Sequence, residues 1–133
     1  MATLLGFDFG TRKIGIAVGQ TISCTATPLT TIRNRGQKPD WRRIETIVNN
    51  WKPDAVVLGL PYHMDGTEED WTDQVRRFAR QLEGRFGVEV HLIDERLTTV
   101  EAQRQLGRHM QHGDLIDAFA AKLILETWLH EQH

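Results

Sequence analysis

This chain has a single cysteine, Cys24, in 133 residues. One thiol can neither close an intrachain disulfide nor build a cysteine-rich zinc site, which fits a reducing compartment. Cys24 also sits in a threonine-rich stretch with no histidine near it in sequence, so it is not read as a catalytic nucleophile. Long apolar runs are missing too, and nothing approaches the roughly 18 residues that suggest a membrane-spanning helix. The opening Met1-Ala2-Thr3 leads into no basic region followed by an apolar segment and cleavage site. No secretory signal is expected, and the protein reads as cytoplasmic with no membrane partner. A basic surplus is also absent: 16 Lys and Arg against 18 Asp and Glu leave a net charge of -2. Such a molecule is not the basic body of a protein that coats nucleic acid, so a polyanion must be met by local patches. Internal repeats and low-complexity segments are lacking.

What is present is an ordinary globular composition, 40% hydrophobic and 26% charged. The length predicts one domain over residues 1-133, able to bury roughly two thirds of the surface of the unfolded chain. Leu4 to Asp8 and Ile14 to Gln20 read as strands joined by Phe9-Gly10-Thr11-Arg12-Lys13, a connection of hairpin length. Thr25 to Ile32 is a third strand in the meander, where Pro28 is tolerated best at an edge or a strand end. Asp40 caps a helix that runs to about Trp51, with Trp41, Ile44, Ile47, Val48 and Trp51 on one face. The unbroken apolar run Ala55 to Leu60 predicts a central strand covered on both faces. Pro61 to Gly66 is a loop, and Thr67 with Asp70 starts a helix carrying Trp71, Val75, Phe78, Ala79 and Leu82, with its exit at Gly84 to Gly87. Val88 to Ile93 is a fifth strand. Thr98 or Thr99 caps a helix to about Arg108, and a last helix spans about Asp114 to His130, with Ile116, Ala120, Leu123, Ile124 and Trp128 inward. All four tryptophans read as core. The sum is an α/β fold: a mixed five-stranded sheet, with an antiparallel meander and then parallel strands, flanked by helices.

Within this pattern the stretch "LLGFDFGTRKIGIAVGQ" sets a lone carboxylate, Asp8, in a strand whose neighbours are apolar, where an unpaired charge costs several kcal/mol. Other acids stand at Asp94-Glu95, where the fifth strand ends, and at Asp117 on the last helix. Asp117 by itself suits a helix start as well as a site. Its followers Ala118, Phe119, Ala120 and Ala121, small or apolar, let that face approach a sheet closely. Carboxylates brought together repel unless cations neutralise them, and oxygen-only ligation is the preference of Mg²⁺ or Mn²⁺. Two such ions about 4 Å apart can activate water and stabilise the leaving oxygen in phosphodiester cleavage. No competing His/Cys zinc set is present.

Groups suited to phosphate lie alongside. Gly10 allows close backbone approach, while Thr11, Arg12 and Lys13 offer a hydroxyl and two cations, or else only a solvated turn. Arg96 either grips phosphate or pairs with a carboxylate. Arg33, Arg35, Lys38, Arg42 and Arg43 form the densest basic stretch, read equally as a backbone-tracking patch or a solvent-facing loop and helix start. Tyr62 could stack on a base, whereas Asp65-Gly66-Thr67 builds a turn and cap. His63, His109 and His112 suit acid-base chemistry or RNA contact, but read first as exposed residues without a role.

The motifs "FDFGTRKIGIAVG", "VVLGLPYHMDGT", "FGVEVHLIDERLTTVEA" and "DLIDAFAAKLILE", in that order, closely resemble the YqgF family of pre-16S rRNA nucleases, also called Holliday junction resolvases. The resemblance covers nearly the whole chain. It implies an RNase H-like fold shared with RuvC-type resolvases and a divalent-metal nuclease site, for which the carboxylate chemistry suggests two Mg²⁺ or Mn²⁺ ions. By motif, Asp8 of "DFG", Glu95 of "DER" and Asp117 of "LIDAFAA" would be the metal-binding catalytic carboxylates. Beside them, Thr11, Arg12, Lys13 and Arg96 stand as the substrate contacts on the chemistry of their own side chains. The resemblance also implies a cytoplasmic bacterial protein that matures the 5′ end of 16S rRNA, with precursor rRNA and ribosomal particles as partners. One departure is the short Gly107 to Gly113 segment, which holds histidines where many members carry a longer Gly/Lys-rich loop. Asp114, three residues before Asp117, is an alternative ligand.

Two other readings are a resolvase acting on branched DNA, which ought to be a homodimer, and a ribosome-assembly module that binds RNA with little catalysis. "DFGT" also resembles the phosphate loop of actin-like ATPases, but those close two domains around a nucleotide and this chain has room for one.

Overall fold

In a computed structural model of the protein, the residues described are 2-10, 12-36, 38-60, 72-94 and 113-132. Five strands form one sheet in the order β3-β2-β1-β4-β5. β1 (Thr3–Phe9), β2 (Lys13–Gln20) and β3 (Thr25–Arg33) are antiparallel neighbours, while β4 (Ala55–Leu60) and β5 (Glu89–Asp94) continue from β1 in parallel. The mixed sheet expected from the sequence is therefore present. Three helices accompany it among the described residues: α1 (Trp41–Trp51), α2 (Thr72–Phe86) and α3 (Gly113–Glu131). None of the described helices is long and apolar enough to cross a membrane.

Side-chain alternation divides the sheet between two cores. Leu5, Phe7 and Phe9 of β1 join Ile14, Ile16, Val56, Leu58 and Leu60 under α1 and α2, where Ile44, Val48, Val75, Phe78 and Leu82 pack. Leu4, Ala55, Val57 and Ile93 point the other way and meet Ile124, Leu125 and Leu129 of α3. β4 is buried along its full length because both faces are covered, as its uninterrupted apolar sequence requires. β3 lies at the edge and opposes Ala17 with Pro28 and Ile16 with Thr30, so Leu29 is the extra residue of a bulge. That is the setting in which a strand tolerates proline. Asp54 ties β4 to β1 at its start: its carboxylate accepts from Thr3 N–H at 2.9 Å and its own N–H donates to the Thr3 carbonyl at 2.8 Å.

Asp40 caps α1 by accepting from the Arg43 N–H at 3.4 Å. α2 runs through Gly84 and stops at Phe86, because the residue that turns left-handed is Gly87, with φ +63°. Trp51 corrects the expectation of a core residue. It is the last residue of α1 and 40% exposed, since Lys52 turns left-handed immediately afterwards and carries the chain away. On α3 the buried positions are Ala118, Ala121, Leu123, Ile124, Leu125 and Leu129, whereas Ala120 and Trp128, expected inward, are half-buried. The Pro61–Gly66 loop, the Thr67/Asp70 cap, Trp71 and the helix from Thr98 or Thr99 to Arg108 lie outside the described residues, as does the inward placement expected for Ile116.

Candidate active site

Asp8 is the penultimate residue of β1 and shares the parity of Leu4 and Gly6, which contact α3. Its half-buried carboxylate therefore belongs to the α3 side of the sheet, not to the aromatic core on the other side. Its ladder partner on β2 is Gly15, about 5 Å away across an antiparallel pair. A methyl group on Gly15 would fall onto the backbone carbonyl of Asp117 in α3. Gly15 thus separates two acid-bearing segments, with Asp8 beside it in the sheet and Asp117 packed over it. Asp117 is half-buried, one turn into α3.

Glycine also stands on the other side of Asp8. β1 and β4 pair Phe7 with Leu58, so the register carried on by one residue sets Gly59 level with Asp8. The next residue across is Ile93 of β5. Bare backbone at Gly15 is what lets the α3 backbone come down beside the carboxylate. The close approach at Gly6 has the same origin. A Cβ on Gly6 would lie 2.8 Å from the Leu125 Cβ and 2.9 Å from the Ala121 carbonyl oxygen, and small Ala118 and Ala121 are the residues α3 buries there.

The hairpin turn after Asp8 is held from β3. Asn34, just past that strand, donates from Nδ2 to the Gly10 carbonyl at 3.1 Å, and its backbone N–H donates to the Arg12 carbonyl at 2.8 Å. Reading the sequence placed Asn34 in an undifferentiated polar loop. The available signal was an asparagine one residue past a strand that pairs beside the turn, since short amides bind neighbouring backbone readily. Arg12 is exposed and Lys13 half-buried on this turn. Beyond it, Arg35 and Lys38 form an isolated bridge, and Arg35 reaches Asp40 at 3.8 Å.

The structure thus brings Asp8 and Asp117 to one place at the carboxyl end of β1, near the turn that carries Arg12 and Lys13. Asp94, the last residue of β5, pairs with Leu60 and so has the parity of the opposite face. Thr11, Glu95 and Arg96 lie outside the described residues, as do Tyr62, His63, His109 and His112, and so does the Asp114 side chain. Among the described residues no group of three His, Cys, Asp or Glu converges as a metal site. The two carboxylates nevertheless fit a hard divalent cation in their chemistry, because they offer oxygen donors only.

An antiparallel meander continued by parallel strands, with helices on both faces, is the RNase H-like fold of RuvC-type resolvases. RuvC of T. thermophilus, solved with a Holliday junction substrate, superposes with a TM-score of 0.63 at 14% identity, covering 99% of this chain and 96% of that one. The Fowlpox virus Holliday junction resolvase gives 0.58 at 12% identity, covering 97% and 99%. These likenesses concern the fold. The model of the family described as "RuvX: Holliday junction resolvase" matches residues 2–131. A Sodalis glossinidius protein named "Putative pre-16S rRNA nuclease" is 48% identical over 133 residues, covering 97% of this chain and 94% of its own. A Coxiella burnetii protein of the same name is 47% identical over 133 residues, covering 96% and 92%. The chain belongs to the RuvX family, and with it to the nucleases that hydrolyse phosphodiester bonds.

Proposed function

We propose that this chain is a divalent-metal-dependent endonuclease, acting as one domain in the cytoplasm on the 5′ end of precursor 16S rRNA, alone or on ribosomal particles. The observation that carries the reading is the packing of Asp117 of α3 onto Gly15, the ladder partner of Asp8. Asp8 and Asp117 supply oxygen donors from two elements, and Glu95, next in sequence after β5, supplies the third by its motif. Asp114 is the alternate donor. When bound, two Mg²⁺ or Mn²⁺ ions supply Lewis-acid stabilisation of phosphoryl oxygens and a more acidic water.

The chain's own residues do the rest. β1, buried on both sides, holds the Asp8 carboxylate in one orientation, so little reorganisation is needed when charge develops on the phosphate. Gly15 lets α3 pack closely enough to bring Asp117 beside Asp8. Arg12 and Lys13, with Thr11 and Arg96, grip flanking phosphates, and Asn34 fixes the turn on which the first of these sit.

Wild type and Asp8→Asn are to be compared on a precursor 16S transcript in Mg²⁺ or Mn²⁺, with the fold of the variant checked by circular dichroism. Asp8→Asn should lower cleavage by at least about 100-fold; equal cleavage by both would sink the assignment. The family's description as a Holliday junction resolvase favours a second reading, cleavage of branched DNA. Symmetric cutting would require a dimer. A four-way junction run in parallel, with sedimentation, decides between the two.

A further inference from the structure

On the opposite face of the sheet from Asp8, a cleft of about 700 Å³ opens between α2 and the segment leading into α1. Three cations reach it, Lys38, Arg77 and Arg85, and among the described residues no carboxylate lines it. Gln74 and Gln81 add amides that both donate and accept. Gln74, Arg77, Gln81 and Arg85 recur at helical spacing, so α2 presents them as one stripe. Phe9, Trp41 and Phe78 make the floor.

Arg85 is pre-organised there. Its guanidinium lies 4.2 Å from the Trp41 ring centroid, and Trp41 in turn stacks on Phe78 at 5.3 Å and 27°. A guanidinium parked over an aromatic face keeps its N–H edge outward, the geometry that suits a phosphate fork. Lys38 is positioned by its backbone: its N–H donates to the Arg35 carbonyl at 3.0 Å and its carbonyl accepts from the Arg35 N–H at 2.8 Å. Phe9 follows Asp8 directly in β1, so the cleft and the acid site back onto each other across one strand.

We propose that this cleft binds single-stranded nucleic acid, the part of the substrate that continues past the scissile bond and bends over the carboxyl end of β1. The choice of ligand rests on the nuclease reading; the choice of place does not. Three cations with no carboxylate among the described lining residues favour a polyanion, and amides above an aromatic floor suit base edges and sugar hydroxyls. The volume is that of a site for a drug-sized ligand, far too small for a duplex but adequate for a short single-stranded segment.

The test measures binding of a fluorescein-labelled 12-nucleotide oligouridine by anisotropy, in the Asp8→Asn background without added divalent ion, so that catalysis plays no part. Lys38→Gln/Arg77→Gln/Arg85→Gln should raise Kd at least about tenfold near 0.1 M salt and reduce the slope of log K on log salt by about 2, since each phosphate of a single strand left without its cation is worth ~0.7. Arg77→Gln alone should lower the slope by about 0.7, which keeps the test decisive if the triple variant folds poorly. Arg77→Lys/Arg85→Lys should retain the slope. Unchanged binding in the Gln variants overturns the proposal, as does an equal loss in the Lys variant, which would make packing the cause. Poly-glutamate bound as tightly as the RNA, and released by the same substitutions, would assign the cleft to acidic protein instead. Failure here would leave Asp8-dependent cleavage standing, whereas absence of cleavage with the binding loss observed would reject only the nuclease reading.

Discussion

Two residues that carry no charge decide how the charged ones meet. Gly15 is where α3 touches the sheet, so Gly15→Ala must push Asp117 away or distort β2. The expected outcome is a loss of about 1–3 kcal/mol in urea unfolding, as for other overpacked cores, together with reduced cleavage by the folded fraction. Asn34 acts through the turn. Asn34→Ala removes its bond to the Gly10 carbonyl and should lower stability by about 1 kcal/mol, while weakening RNA binding through the now looser Arg12 and Lys13. Thermal melts and anisotropy on one preparation separate the two effects. Asp8 and Asp117 stood out in the sequence because a carboxylate among apolar neighbours is conspicuous. Gly15 did not, because nothing in "KIGIAVG" distinguishes it from Gly19; its importance is set by a backbone about a hundred residues further along the chain.

Elements were legible in proportion to the sharpness of their pattern. β4 declared itself by an apolar run with no polar break, and α1 by its cap and its periodic apolar face. α3 is legible as a helix, and Leu123 and Ile124 are buried as expected, but the small residues Ala118 and Ala121 that it also buries are not marked by the pattern. Its residues are apolar on nearly every side from Ala118 to Leu125, so no polar stripe marks the outside, and the choice falls to the small residues that fit against Gly6 and Gly15. The resulting stripe, Ala118, Ala121, Leu125 and Leu129, is anchored by Leu125 over Gly6 and by the Glu126 carboxylate, which accepts from the Ala26 N–H of β3 at 3.0 Å. Leu125→Ala should therefore cost about 2–5 kcal/mol, read by chemical denaturation. The same variant should also lose affinity for Mn²⁺ in calorimetry, because α3 carries Asp117.

At the scale of the whole molecule, a net charge of -2 sits on a protein of a nuclease family. The composition was right to exclude an overall basic body, and the structure localises positive charge on the Arg12–Lys13 turn and along α2 instead. Such a molecule recognises a polyanion by where the charge lies, not by how much there is. The alternation of β1 carries a further consequence. Phe9 belongs to one core and Asp8 to the other side, so a slip of this strand by a single residue would bury the carboxylate among aromatic rings and expose a phenyl group to the acid site. Misregistered chains are thus penalised in both layers at once. Strand register and acid placement are coupled, and refolding followed by fluorescence and refolding followed by recovered cleavage are expected to share one rate constant.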